Sequence, residues 1–526
     1  MNTETPTAPA RIHELLRDWV DRQPEAPAVR DDVVALNYAE LSHHSVAMAE
    51  RLARAGVGAG DRVLLVGENC VALCVLILAI SRLDAWSSTV NARLSKREIT
   101  QFIEHSGARR VVYLSHVSDD AAAHAAAHRA SPFDTPVGHM ALSPSNADAA
   151  AEACFESAAK QVAALVYTSG TTGAPKAVML THANLLHVAA AARDMRHLAR
   201  GDVLYGVLPM AHVVGLSTQF LGTLASGAAL LLAPRFSAEA TLRALAHEGI
   251  TVFTGVPALF ARILEWARQH AATVDAPSLR LISVAGSPLT PTLKSEVEQA
   301  FGLSLQNGYG LTETSPTVAQ TRHDVPQSDC SVGRPIPGVQ VRIVGEDGVD
   351  VAAGAVGELW VRGPTVMKGY YRSPEVTATV IDADGWFNTG DMASCDERGD
   401  LFISGRTKEL IIRSGFNVYP LEVEQVLNGF PGVVQSAVVG REVGHNEEVV
   451  AFLEVKEGMA IDAAALQDHL RAHLSPYKVP SETRCMATLP SAPNGKIQKH
   501  VLRELAKTPA LAHRGADGQT GSAPLP

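Results

Sequence analysis

The sequence predicts an α/β protein with a large N-terminal domain and a small α+β domain at its C-terminus. Three observations carry that expectation. Between Val162 and Ser283, short apolar runs alternate with helix-length segments, which is the pattern of parallel sheets covered by helices. From Gly338 to Arg362 the pattern changes to alternating strands around Glu346-Asp347-Gly348, and Asp-Gly is a strong hairpin turn signal. A second boundary falls near Arg406-Thr407-Lys408. The segments Val418–Leu427, Val433–Val439, Glu448–Val455 and Ile461–Leu474 follow it, enough for a compact domain of about a hundred residues.

The elements read as follows along the chain. Residues 11–110 alternate helical segments with short strands. Asp61–Val66 is strand-like, and Val71–Leu83 reads as a buried helix. Ala121–Ala159 is Ala-rich with Ser, Pro and Asp breaks, which predicts a surface helix and a loosely ordered excursion. His124 and His128 stand there at i, i+4, a metal-capable spacing, but no carboxylate or Cys nearby completes a site, so a solvated helix is expected. Val203–Pro234 contains no Asp, Glu, Lys or Arg, a length that could span a bilayer. Pro209, His212, Ser217, Thr218 and Gln219 interrupt it, so a buried strand, a turn, a helix and a second strand (Ala228–Ala233) are expected instead. Ile250–Thr254 and Leu279–Val284 are clear strands, as are Val339–Val344 and Gly357–Arg362. The tail from Thr508 to Pro526 is rich in Gly, Ala and Pro and reads as disordered.

Composition narrows the function. Hydrophobic content is 46% and charged content 19%, a globular balance with a large core. The net charge of −10 argues against nucleic-acid binding, which normally needs a basic stripe. The six cysteines are scattered without a CxxC pair, as expected in a reducing cytoplasm. No signal-peptide apolar core occurs in Met1–Pro9.

The most informative stretch is Tyr167-Thr168-Ser169-Gly170-Thr171-Thr172-Gly173-Ala174-Pro175-Lys176, directly after the apolar strand Val162–Val166. Glycines bring backbone N–H groups close to an anion. The hydroxyls add donors and Lys176 adds charge, so the loop is built for a polyphosphate. It is not a Walker A loop, which requires Gly where Pro175 stands.

The run resembles the phosphate loop of the adenylate-forming superfamily, which includes acyl-CoA and aryl-CoA synthetases. Further stretches match that superfamily in order. Leu208–Gly215 resembles the segment whose His borders the acyl pocket. Asn307-Gly308-Tyr309-Gly310-Leu311-Thr312-Glu313-Thr314 resembles the nucleotide and magnesium motif. Trp386–Asp391 resembles the ribose motif, Gly405–Ile411 the hinge, and Pro493-Asn494-Gly495-Lys496-Ile497 the loop of the catalytic lysine. The resemblance runs from about Leu36 to about Leu505. It implies an N-terminal domain (1–407) of two parallel-type sheets with a β-barrel subdomain at about 335–405. It also implies a small mobile lid domain (408–507) and then the tail.

The resemblance also implies roles. Thr168, Ser169, Gly170, Thr171, Thr172, Gly173 and Lys176 hold the β- and γ-phosphates of ATP. Asn307, Gly308, Tyr309 and Gly310 form the adenine side, with Tyr309 stacking on the base. Thr312 meets the α-phosphate, and Glu313 binds Mg²⁺. Asp391 accepts from the ribose hydroxyls, assisted by Arg406. Lys496 bridges the attacking carboxylate and the α-phosphate. Lys408 is the hinge about which the C-terminal domain rotates, and Gly415 and Phe416 line a tunnel for coenzyme A. His212, Val213, Val214, Gly215, Ala285, Gly286 and Gly308 line the acyl pocket, His212 also counting among the catalytic residues. One departure is visible: the superfamily usually has Arg three positions after the catalytic Lys, and here it is Lys499. Charge is kept and a bidentate contact is lost, with little expected effect on activity.

The chemistry follows from the inventory. A carboxylate is a poor acylating agent, and adenylation supplies AMP as its leaving group. Two anions must meet, so positive charge and positioning should dominate over nucleophilic side chains. The small apolar pocket walls favour an aryl or a short-to-medium aliphatic acid. Arg262, if it faced the pocket, would imply a malonate-like dicarboxylate; an exposed helix Arg is the simpler expectation. The expected reaction is acid + ATP + CoA → acyl-CoA + AMP + PPi, by a monomer or homodimer. The competing readings are an adenylation enzyme that loads a carrier protein and a catalytically silent binding protein.

Overall fold

The structure, a computed structural model, describes residues 8–168, 175–414, 416–443, 446–456, 458–491 and 497–508. The chain divides into two compact units, Met1–Ser404 and Gly405–Pro526.

The first unit contains a nine-stranded and an eight-stranded sheet. In the nine-stranded sheet the strands Ala229–Leu232, Val203–Gly206, Val252–Gly255, Leu281–Ala285 and Leu305–Gly310 lie side by side in that order, each parallel to the next. The eight-stranded sheet has a parallel centre of Val162–Thr168, Trp86–Asn91, Arg62–Gly67 and Arg110–Tyr113. The helix Val71–Arg82 is buried along nearly its whole length. It shares one apolar core with residues of both sheets, among them Val63, Leu65, Leu204 and Leu230. A helix apolar all round has no face to offer water, so burial between layers is its stable place.

The uncharged stretch after Asp202 folds as the strand Val203–Gly206, a π-helix Val214–Leu221, a short helix Gly222–Ser226 and the strand Ala229–Leu232. Among the described residues no helix is long and apolar enough to cross a membrane. Farther on, Gln340–Val344, Gly357–Arg362, Phe387–Cys395 and Leu401–Arg406 form a four-stranded sheet whose first three strands pair antiparallel.

The Ala-rich segment departs from expectation. The helix Asp119–Ala127 is followed by a paired hairpin, Ser131–Thr135 with Gly138–Leu142. The helix is not solvated at His124, which is buried and bonds through Nε2 to the carbonyls of Ala92 and Leu94, each at 3.0 Å. His128 stacks on Tyr113 at 5.9 Å. Ala side chains are small enough to let this helix dock closely, which draws His124 inside.

Two histidines, half-buried His13 and buried His182 against the N-terminal segment, set an acid limit. His182 Nδ1 accepts from Ile12 N at 3.2 Å. Burial, then Arg11, pulls its pKa down to about 3. Burial, then Arg82, pulls His13 down to about 4. Both stay neutral in the folded state, whereas unfolded imidazoles take up protons near pH ~6.5. The unfolded chain therefore binds more protons over the window from about 6.5 down to these folded values, and stability falls as pH drops through it. Thermal unfolding between pH 7 and 4.5 is expected to show a falling midpoint; a flat profile would contradict this assignment.

The second unit is α+β. The strands Val433–Val443 and Asn446–Val455 pair antiparallel, and Glu482–Met486 joins in parallel. The helices Pro420–Asn428 and Ala463–His473 lend Val423, Leu427, Leu466 and Leu470 to one core on this sheet. Leu502 and Ala506 of the helix Lys499–Lys507 belong to a second.

Candidate active site

Four candidate segments start from the carboxyl ends of four of the five parallel strands. Gly206 leads to the His212 segment, Gly255 to Val256, Ala285 to Gly286, and Gly310 to Thr312 and Glu313. In open α/β sheets, ligands bind outside these strand ends.

The phosphate loop begins and ends in one hairpin. Thr168 closes the strand Val162–Thr168, Lys176 opens the strand Lys176–Thr181, and the two residues are register partners. Ser169, Gly170, Thr171, Thr172 and Gly173 lie outside the described residues. Lys176 Nζ sits 5.3 Å from the ring centroid of Tyr370. The Tyr370 hydroxyl donates to Glu313 Oε1 at 2.8 Å. The short strand Gly369–Tyr370 adds to the Lys176 strand, with Tyr370 opposite Val178. Its neighbour Met367 donates its N–H to the Glu313 carbonyl at 2.9 Å. One segment thus holds the loop lysine and the expected magnesium carboxylate on either side of a tyrosine. Burial, then the Glu313 carboxylate, raises the Tyr370 pKa, so Tyr370 remains a donor. Tyr370→Phe is expected to lower adenylation about tenfold, because a hydrogen bond to a charged group contributes roughly 1.5–3 kcal/mol. An unchanged ATP–pyrophosphate exchange rate would remove Tyr370 from the machinery.

No sequence motif marks Tyr370. Its only signal is a pair of tyrosines after Gly369, and its function depends on contacts with residues far away in the chain.

The turn that carries Thr312 and Glu313 doubles back tightly. Leu311 N donates to Pro316 O at 3.0 Å. A Cβ on Gly310 would lie 1.7 Å from the same oxygen, so only glycine fits there. On the adenine side, Tyr309 donates its hydroxyl to Asp391 Oδ2 at 2.5 Å. Asp391 is 3% exposed and lies in the strand Phe387–Cys395, so the base and ribose candidates come together. Asn307 is occupied as a latch, donating to the carbonyls of Cys330 at 3.1 Å and Ser331 at 3.2 Å.

The acyl-pocket candidates divide into two groups. Ala285 and Gly308 are register partners in adjacent parallel strands, and Gly286 continues from Ala285 with φ +85°. On the other side, Val213 packs into the main core, while His212 and Val214 are half-buried. Gly215, in the first turn of the π-helix, lies against backbone: a Cβ there would lie 2.3 Å from Pro209 O. Its smallness thus serves packing. Burial, then Arg93, lowers the His212 pKa, which makes this imidazole a neutral hydrogen-bonding group. Arg262 is exposed on the helix Pro257–Gln269. A cleft of about 740 Å³, lined by Trp86, Phe155, Met179, Tyr370, Tyr371 and Ile381 among others, contains none of the acyl-pocket candidates.

In the second unit Arg406 and Lys408 are exposed, Lys408 within the turn Thr407–Glu409. Phe416 is 54% exposed and stacks on Tyr477 at 4.6 Å. Gly415 and Lys496 lie outside the described residues. Ser491 and Ile497, which flank the Lys496 loop, form an isolated antiparallel bridge.

Glu313 suits a magnesium ion carried in by the nucleotide. Tyr370 fixes one carboxylate oxygen, and among the described residues no three His, Cys, Asp or Glu converge on a metal site. Mg²⁺ binds through one or two carboxylates plus substrate phosphates and water, and the single carboxylate fits that arrangement.

Residues 16–371 match the family profile described as AMP-binding enzyme, and residues 422–496 match the AMP-binding enzyme C-terminal domain. The indoleacetate–CoA ligase of Aromatoleum aromaticum is 34% identical over 93% of this chain and 98% of its own length. The feruloyl-CoA synthase of an Amycolatopsis species is 36% identical over 91% of this chain and 96% of its own. Among solved structures, ATP-bound MatB from Rhodopseudomonas palustris superposes with a TM-score of 0.84 at 33% identity, covering 95% of this chain and 99% of that one.

Proposed function

Because this chain belongs to the AMP-binding enzyme family and is an AMP-forming acid–thiol ligase, we propose that it converts an apolar monocarboxylic acid, aryl or short-to-medium aliphatic, into its CoA thioester. The observation that carries the assignment of residues is the Lys176–Tyr370–Glu313 arrangement. A cation, a neutral donor and a carboxylate lie close together there, which supports a site for a metal-bound triphosphate.

In the first step an acid oxygen attacks the α-phosphorus of ATP and pyrophosphate leaves. Lys176 and the loop from Thr168 to Gly173 hold the leaving phosphates. Glu313, oriented by Tyr370, would hold Mg²⁺, which would neutralise charge on the phosphates. Thr312 contacts the α-phosphate. Tyr309 stacks on adenine, and Asp391 accepts from the ribose hydroxyls with Arg406 assisting. Lys496 spans the attacking oxygen and the α-phosphate, where charge peaks in the transition state. His212, neutral, borders the acyl group without attracting a second anion. In the second step the CoA thiol attacks the acyl carbon and AMP leaves. For this step the C-terminal domain turns at Lys408 and brings Gly415 and Phe416 to the thiol's path. A cytoplasmic location fits a reaction that consumes ATP and CoA.

The small walls Ala285, Gly286 and Gly308 leave room for a flat group. The acids named for the relatives above, indoleacetate and ferulate, are both ring acids. A dicarboxylate would need a cation in the pocket, and Arg262 is exposed. The test is kcat/KM across matched arylacetic, cinnamic, hexanoic and malonic acids. Malonic acid is expected to be poorer than the best monocarboxylate by at least about 10²-fold, the cost of desolvating an unpaired charge. If malonic acid proves best, the substrate assignment is wrong.

A further inference from the structure

Lys499 does more than supply charge. It opens the helix Lys499–Lys507, and its ammonium reaches two carboxylates from distant segments, Glu409 Oε2 at 2.8 Å and Glu424 Oε1 at 2.8 Å. Glu409 ends the turn that contains Lys408. Glu424 lies in the helix Pro420–Asn428 and is itself fixed, its Oε1 also accepting from Val438 N at 2.7 Å. Lys499 and Glu424 are nearly buried, so neither can trade its partner for water at little cost. A compact ammonium with three donors can be shared between two separate carboxylates. The chain just before Lys499 is closed on itself as well. Gln498 N donates to Pro490 O at 2.8 Å, and Ser491 bridges to Ile497. The base of the 492–496 segment is therefore tied together, and Lys499 ties that base to the Lys408 turn.

We propose that Lys499 is a positioning residue: shared between Glu409 and Glu424, it fixes the base of the Lys496 loop to the hinge turn, so that the two move as one piece. This rests on the roles given above to Lys496 and Lys408. Burial opposes the charge on Lys499, but Glu424 and Glu409 outweigh it and raise its pKa. Burial also opposes ionisation of Glu409, and Lys499, Arg503 and Arg406 together outweigh it. Lys499 and Glu409 therefore stay charged across the neutral range.

The test separates the half-reactions. Adenylation is read by acid-dependent ATP–pyrophosphate exchange, and thioester formation by CoA consumption from a supplied acyl adenylate. Lys499→Met is expected to lower exchange by about 10–100-fold, since small misplacements of a catalytic group cost that much. Thioester formation should stay within about threefold of the parent, because that step does not use Lys496. Lys499→Arg should keep most of the exchange activity. If Lys499→Met leaves the two carboxylates too strained to fold, the double variant Lys499→Met with Glu409→Gln removes one charge of each sign and should show the same split. Two outcomes overturn the proposal: exchange within about threefold of the parent, or equal losses in both half-reactions, which would mean a merely structural role. Lys496→Ala is the reference. If it loses exchange and Lys499→Met does not, the coupling alone is wrong; if Lys496→Ala keeps exchange, the role of Lys496 is wrong and the proposal falls with it.

Discussion

Replacing Lys496 by Ala is expected to lower acid-dependent ATP–pyrophosphate exchange by about 10²–10³-fold, the usual cost of removing one preorganised charge-stabilising donor. ATP affinity should change little. The reaction brings a carboxylate against a phosphate, and negative charge concentrates on the oxygens between them only in the transition state. A cation placed there contributes to kcat and hardly to substrate binding. The other nucleotide candidates differ in kind. Lys176, Tyr309 and Asp391 would hold ATP in the ground state, so their loss should appear largely in KM. Exchange kinetics together with calorimetric ATP titration distinguish the two patterns. Unimpaired exchange in Lys496→Ala would remove the lysine from the mechanism.

Glu313→Ala is the second large effect, a loss on the order of 10²-fold or more in adenylation, since removing a charge-stabilising group at a phosphoryl centre typically costs this much. The structure gives Glu313 two attachments: its carbonyl accepts from Met367 N and its carboxylate accepts from Tyr370. The alanine variant removes the metal ligand and also leaves the buried Tyr370 hydroxyl without its acceptor. Glu313→Gln separates these. Its amide oxygen can still accept from Tyr370, but the charge is gone. If Mg²⁺ binding is the carboxylate's role, the glutamine variant should be nearly as impaired as the alanine variant, and excess Mg²⁺ should recover part of the loss in either. Full activity in Glu313→Gln would show that the hydrogen bond to Tyr370 was all that mattered.

The sequence made the local parts of this site legible and left its long-range parts hidden. The phosphate loop stood out because its polar run interrupts two apolar strands, and these strands do pair, with Thr168 opposite Lys176. The Gly310 turn was visible as a glycine, but the Pro316 carbonyl that makes glycine necessary was not. Tyr309 meets Asp391, and Tyr370 meets Glu313, across long separations in sequence. No periodicity encodes such pairs, because tertiary packing alone brings them together. Gly215 illustrates the opposite problem. Its smallness looked like pocket shape, and the backbone of Pro209 accounts for it. The Ala-rich stretch misled for a related reason. Alanine carries too little hydrophobic contrast to mark a buried face, so neither the burial of His124 nor the hairpin Ser131–Leu142 could be read from composition.

The most direct measurement of the central claim is mass-spectrometric detection of products from the purified protein with ATP, Mg²⁺, CoA and a mixed panel of aromatic, aliphatic, hydroxy and dicarboxylic acids. The expected product is a CoA thioester of an apolar monocarboxylic acid, formed with AMP and pyrophosphate. AMP and pyrophosphate released with no CoA adduct would contradict it and make a carrier protein the acyl acceptor.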